Sequence, residues 1–439
     1  MRSGFLRVKG NKIVDENDKR VFLRGTALGG WLCMENFHAG YPGTESAFRA
    51  ALLDVPGQTK YDFFFERYFH YFFTDADAAY LASLGLNTLR LPFRHKLFDD
   101  DMNPRNPDWH SDNNTSYAAF WDFKDHQDRT VWLWERIAER YKDNPWVAGY
   151  NLLNEPCDPQ QVRLPALYAR LEAAIRAIDS RHILFLDGNT FAMEWSGFTE
   201  VLSNASYAIH DYSMMGFRLG GRYTGIPDQK DKLRRQLVRK CEFHHRHGAS
   251  IWNGEFGPQW EDEDHDVDGD ALEVNACRAA LLAEQIHIYQ EVDMDWSIWA
   301  YKDIGRMGMV RVGPDTPWAA LVGAFARRKV AIQIESASQG PCPPVDGPID
   351  ALVAYIDSIS PTANAAYPPN WNTKQHVLRN TLQTYVANTL CAEFAELFRG
   401  KTEEELEALA GSFAFEKCLT RKQLHEVLGE VLTPGSVKA

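Results

Sequence analysis

VAGYNLLNEP, residues 147–156, runs through apolar positions, reaches Asn154-Glu155 and stops at Pro156. A short apolar run closed by polar residues and a proline reads as a buried strand with functional groups at its end. SIWNGEFG (250–257) has the same build. It is a strand ending in Glu255, with Gly254 and Gly257 small enough for backbone and ligand to come close. In a parallel α/β barrel, strand C-termini face the active site. Two carboxylates on separate strand ends, about 5–5.5 Å apart, are what retaining glycoside hydrolysis requires. A carboxyl partly shielded from water favours its neutral form and can protonate a leaving oxygen. The neighbouring Asn154 can bond a sugar hydroxyl.

Working outward, strand-like segments recur at Val21–Gly25, Asn87–Phe93, Val147–Leu153, His182–Leu186, Ser206–His210, Ser250–Trp252 and Asp295–Trp299. The opening FLRVKGNKIVDENDKRVFLRG (5–25) reads as a hairpin running into the first of them. Helical spacing of apolar residues fills the intervals at Asp75–Leu84, Arg129–Lys142, Leu164–Ile178, Lys230–His247 and Ala271–Glu291. Strand-then-helix repetition over some 300 residues predicts a parallel sheet with outer helices. One interval departs. Arg94 to Asp128 is crowded with Asp, Asn and Pro and offers no run of strand type. The count is therefore seven core strands, with Arg94–Asp128 mostly irregular and the barrel open or distorted beside Arg90. Residues 1–335 form the barrel. SASQGPCPPVDGP (336–348) is linker-like, and 336–439 read as a helical extension, with helices at Asp350–Ile359, Lys374–Phe398, Thr402–Leu409 and Arg421–Leu432.

Six segments in order, spanning roughly residues 5–330, resemble glycoside hydrolase family 5, the cellulase and exo-β-glucanase family. They are RGTALGGWL (24–32), LRLPF (89–93), NLLNEP (151–156), HDYS (210–213), NGEFG (253–257) and SIWAYKD (297–303). The resemblance implies a (β/α)8 TIM-type barrel. It also implies a hydrolase of O-glycosyl compounds that cleaves a β-glucoside or β-glucan by double displacement, with no cofactor or metal. By the same resemblance Glu155 is the acid/base and Glu255 the nucleophile. Arg90 keeps the nucleophile ionised, and Asn154 bonds the 2-hydroxyl. His210 and Tyr212 line the site, with Tyr212 near the nucleophile, and Trp299 is the platform under the reacting sugar. Trp31 and Glu35 match residues that bind the terminal sugar in exo-acting relatives. The family's third strand, which ends in a histidine, has no counterpart here. DWHSDN (108–113) resembles the segment just after that strand, and His110 has no strand leading into it. The same residues would serve a transglycosylase if a sugar acceptor replaced water. A broken barrel would leave a carbohydrate-binding relative without turnover.

Composition sets the remaining bounds. Of 439 residues 45% are hydrophobic, ordinary for a globular protein, and 13 tryptophans serve either cores or sugar platforms. A net charge of −13 repels phosphate backbones, so nucleic acid is not an expected partner; the resemblance implies a carbohydrate instead. No run of 18 apolar residues is present, so no membrane span is expected. The start of the chain shows no apolar signal region, and seven scattered cysteines fit a reducing compartment, so the reading is cytoplasmic; secretion would need a longer N-terminus. Cys241 and His245 share a helix face at a spacing that can bind metal, but the stretch reads as a solvated helix end. EDEDHDVDGD (261–270) resembles a calcium loop, yet its twelfth position is Asn275, so it reads as an acidic surface loop.

Overall fold

The computed structural model describes residues 4–94, 119–264, 266, 268–335, 340–360, 362 and 372–432. Seven strands form one sheet: β1 (Arg24–Ala27), β2 (Thr88–Arg90), β3 (Gly149–Asn151), β4 (Ile183–Asp187), β5 (Ala205–His210), β6 (Ser250–Phe256) and β7 (Asp295–Ile298). Their order is β2-β1-β7-β6-β5-β4-β3, and every neighbouring pair is parallel. The first strand pairs with the last, so the sheet curls as a (β/α)8 TIM-type barrel does, with seven strands among the described residues. β4 to β7 are buried at every position, the physical reason they read as unbroken apolar runs.

The first strand starts later than expected, at Arg24 rather than Val21. The Val21 amide bonds the Ile13 carbonyl, and the Leu23 amide is taken by the Asp295 carboxylate at 2.8 Å. That stretch therefore serves the N-terminal hairpin, Arg7–Lys9 with Lys12–Val14, which turns at Gly10 in the left-handed region. Leu6, Ile13 and Leu23 pack with Ile183, Phe185, Ala208 and Trp252 from three core strands.

Among the described residues β2 and β3 are not paired with each other, so the sheet is open beside Arg90. Most of the interval expected to be irregular, 95–118, lies outside the described residues, as does His110. Its end is a correction: Ala119–Trp121 is a 3-10 turn, and a helix runs over Lys124–Tyr141. The sequence masks this start because its first turns are charged and carry ion pairs such as Lys124–Asp128 rather than apolar periodicity. Trp134 of that helix stands beside the gap. Its ring lies 5.9 Å from both Phe93 and Tyr150, and its indole N–H donates to the Leu152 carbonyl at 2.9 Å.

The predicted helix 230–247 is two helices, Pro227–Lys240 and Glu242–His247, broken at Cys241. Cys241 is buried and His245 exposed, so they do not share a metal. In the acidic loop Asp266 accepts the amides of Gly269, Asp270 and Ala271 at the start of the helix Ala271–Glu291, and Asp264 pairs with Arg311.

Three helices of ten or more residues escaped sequence reading: Glu45–Asp54, Gln58–Phe72 and Pro317–Ala331. The C-terminal helices explain them. Phe394 and Phe398, together with Leu406 and Phe413, share one buried cluster with Phe48, Phe64, Tyr68 and Trp318. The helix Pro343–Ile359 starts inside the segment that reads as linker, because Pro343 is a compatible first-turn residue. No described helix is long and apolar enough to cross a membrane.

Phe394 is fully buried and makes edge contacts with Phe48 and Phe325 at 5.8 and 5.2 Å. Phe394→Ala should lower the unfolding free energy by about 3–5 kcal/mol in denaturant titration. Unchanged stability would mean that this aromatic core does not hold the C-terminal helices.

Candidate active site

Every group of the site stands at the C-terminal edge of the sheet. β5 and β6 both slip register there, between Ile209 and His210 and between Asn253 and Phe256. Such irregularities re-aim side chains at a strand end. They put His210 opposite Glu255. Lys240 fixes the slip from behind, donating to the His210 carbonyl at 3.0 Å and to the Asp211 carboxylate at 2.7 Å. The Asp211 amide in turn donates to the Glu255 carbonyl at 2.9 Å.

Glu155 and Glu255 face each other. One ligating atom from each of Glu155, His210 and Glu255 falls within 4.8 Å of the others. Both carboxyls are buried, at 6% and 4% exposure, yet each is bonded. Arg90 Nη1 meets Glu255 Oε1 at 2.5 Å, and the Tyr212 hydroxyl donates to Glu255 Oε2 at 3.0 Å. His210 Nδ1 lies 2.6 Å from Glu155 Oε1. Burial opposes the charge of Arg90, but Glu255, Asp187 and Glu155 outweigh it and raise its pKa. Burial likewise works against the charged His210, and Glu255 and Glu155 outweigh it, so His210 titrates above the usual 6.5. Burial and the charges of Glu255 and Glu155 push Tyr212 well above 10, so it stays a donor.

Glu155 adopts φ 46°, a left-handed conformation that costs a non-glycine residue about 1–3 kcal/mol. Its amide is held there by Asp187 Oδ2 at 3.0 Å. Asn154, exposed, accepts Arg90 Nη2 on its Oδ1 at 2.5 Å. Arg90 also reaches across the open seam to Asn151 Oδ1, at 3.1 Å from Nε and 3.0 Å from Nη2. Asn151 passes the link on to Asp187 Oδ1 at 2.7 Å. Burial pushes the Asp187 carboxyl up, against the nearby charges of His210 and Arg90.

Trp299 is buried at 7% exposure in a small cluster with Ala27, Phe37, Ala300 and Met307, on which Tyr212 and Phe217 lean. His38 backs it edge-on at 5.6 Å. Burial drives the His38 pKa down to about 3, so this ring is neutral. Glu35 caps the short helix Asn36–Ala39, and its charge adds to the rise of Tyr212, which brings it near the site. Trp31 is placed differently. Its indole N–H is bonded to the Phe69 carbonyl at 2.9 Å, and its ring packs against Phe73 at 5.9 Å. Asn151, Asp187 and His38 escaped sequence reading. Asp187 had a signal, a carboxylate closing the strand HILFLD, as in the two strands that were read as catalytic.

Glu155, His210 and Glu255 are the described residues whose spacing suits a cation. Arg90 already supplies a positive charge there.

Two carboxylates this close at the C-terminal edge of a curled parallel sheet, each with its own partner, make the arrangement of a retaining glycosidase. Comparison with known proteins takes the assignment to a family. The model for cellulase, glycosyl hydrolase family 5, matches residues 106–304. A protein of Phanerodontia chrysosporium named beta-xylosidase is 44% identical over 467 aligned residues, covering 97% of both chains. Endoglucanase C of Acetivibrio thermocellus is 23% identical over 342 residues, which is 62% of this chain and 96% of that one. A solved beta-glucanase from Saccharophagus degradans overlays with a TM-score of 0.45 and 19% identity, over 74% of this chain and 92% of that chain. The chain belongs to glycoside hydrolase family 5, and it is a glycosidase. The alignment with the Phanerodontia protein is longer than this chain's own 439 residues, so part of that relative has no counterpart here.

The raised His210 pKa has a sign that stability measurements read. A folded-state value above 6.5 contributes stability that is fully present below 6.5 and is lost as pH rises through the folded value. The charged groups facing the ring are Glu155, Glu255 and Asp187. From pH 6 upward, Tm of the parent should fall more steeply than Tm of His210→Gln. Parallel Tm–pH curves would contradict the assignment.

Proposed function

We propose that Glu255 attacks the anomeric carbon of a β-glycoside while Glu155 protonates the departing oxygen. Glu155 then takes a proton from water, whose oxygen displaces Glu255 and releases the sugar with its configuration retained. The observation that supports this most is the different company of the two carboxylates. Glu255 lies against the Arg90 guanidinium at 2.5 Å, a counter-charge for the carboxylate that would attack. Glu155 lies against an imidazole, a partner that can accept or return a proton. Asn154, its oxygen held by Arg90, keeps its amide NH2 for the 2-hydroxyl. Trp299, clustered with Tyr212, offers the face under the ring.

The sugar is a β-linked pyranoside of glucose or xylose configuration, and the relative named beta-xylosidase favours the xyloside. The two sugars differ only by the exocyclic hydroxymethyl group, so one site can be tested with both. Glu35, near Tyr212 and bound into the first turn of the helix Asn36–Ala39, is the candidate contact for a terminal sugar. Trp31, engaged with Phe69 and Phe73, supports that loop from behind.

Glu255→Gly should abolish turnover of aryl β-xylosides and β-glucosides, and azide should restore it with an α-azido product. Glu155→Gly with azide should give the β-azide. Activity equal to the parent in either variant would place catalysis elsewhere.

A further inference from the structure

We propose that Asp187, the carboxylate closing β4, is a positioning residue for the acid/base: it holds the backbone of Glu155 and keeps the His210 proton on Nε2. The inference rests on Glu155 being the acid/base.

Asp187 is fully buried, and each of its oxygens has a distinct task. Oδ1 accepts from Asn151 Nδ2 at 2.7 Å, which ties it to the residue that Arg90 grips across the open seam. Oδ2 accepts the Glu155 amide at 3.0 Å, where that residue turns into the left-handed region at φ 46°. The same Oδ2 lies 3.5 Å from His210 Nε2. That nitrogen is buried and has no closer hydrogen-bond partner. Gly254 packs directly beside it, since a Cβ there would stand 3.0 Å from Nε2.

The two nitrogens of His210 therefore see different carboxylates. Nδ1 faces Glu155 at 2.6 Å and Glu255 at 3.6 Å, and Nε2 faces Asp187. Lys240 and Asp211 contact the backbone side of the residue and leave the ring alone. With the proton on Nδ1 alone, a bare Nε2 would point its lone pair at the Asp187 carboxylate, which is repulsive. With the proton on Nε2 the contact is attractive, and the Nδ1 lone pair is free to accept the acid proton of Glu155. That form stores the proton on Glu155 Oε1, beside the oxygen that must leave. After transfer, the Glu155 carboxylate regains its proton from the attacking water, again with Nε2–H unchanged. Asp187 thus makes Nδ1 the nitrogen that titrates.

Two experiments test this. In the parent protein, nitrogen-15 spectra of His210 across pH 5 to 9 should show Nε2 protonated throughout, with only Nδ1 titrating. A bare Nε2 anywhere in that range overturns the proposal, and no variant has to fold for this result. The second uses leaving groups, because acid assistance matters only when the leaving group is poor. Asp187→Asn should lower kcat/KM for a phenyl β-glycoside about 30-fold, a part of the usual general-acid contribution. It should lower that for a 2,4-dinitrophenyl β-glycoside less than about 3-fold. Equal losses on both substrates would show a merely structural role and overturn it. Glu155→Gln is the control: if that variant shows no such leaving-group dependence, the assignment of Glu155 fails; if it shows it and Asp187→Asn does not, only the role of Asp187 fails.

Discussion

The guanidinium of Arg90 is the charge around which the cleft is arranged. It enters from the end of β2, at the edge of the opened sheet, and donates to three residues from two other strands and the loop beyond one of them. A buried cation of this kind is costly unless its donors are matched, and here Glu255, Asn154 and Asn151 match them. The same contacts link β2 and β3, which are not paired with each other among the described residues. Arg90 to Asn151 is a side-chain bridge between β2 and β3, and Asn151 to Asp187 extends it to β4. Removing the arginine would leave Glu255 buried without its counter-charge and the seam without its link.

Glu155 stands on the other side of the same cleft. Glu155 sits against an imidazole instead of a guanidinium, and its backbone is held by a carboxylate. Two acids of similar intrinsic strength thus have different partners a few ångströms apart, the arrangement by which one cleft would hold a nucleophile and an acid together. The partners themselves are fixed by elements outside the sheet. Lys240, from the helix Pro227–Lys240, sets the carbonyl of His210 and the side chain of Asp211. His38, held neutral, backs Trp299 from the short helix that Glu35 caps.

SIWNGEFG was legible because its strand is buried at every position and ends in a carboxylate, and VAGYNLLNEP because its short apolar run stops at Asn154-Glu155-Pro156. Asn87–Phe93 was legible for its LRLPF pattern, although β2 itself is only three residues long. The features that stayed hidden have physical causes. Gln58–Phe72 is crowded with aromatic residues that pack between Trp318 and the C-terminal Phe398 and Phe413, and its exposed polar stripe, Gln58, Asp62, Glu66 and His70, is narrow. Asn151 and Asp187 were missed because their roles come from pairing across strands that lie far apart in sequence. Trp31 was read as a sugar contact from its motif, and only the fold shows its indole N–H on Phe69. Asn154, His210 and Tyr212 were read at positions where the structure brings them against Arg90, Glu155 and Glu255.

The central claim is that Glu255, under Arg90, forms a covalent bond to the sugar. A 2-deoxy-2-fluoro β-glycoside with a dinitrophenolate leaving group slows the second step of a double displacement and traps that bond. Incubated with the protein, digested and mapped by tandem mass spectrometry, it should leave one fluorosugar on the peptide containing Glu255, with activity lost in proportion to labelling. A label on another carboxylate, or turnover with inverted product and no label, would contradict the account.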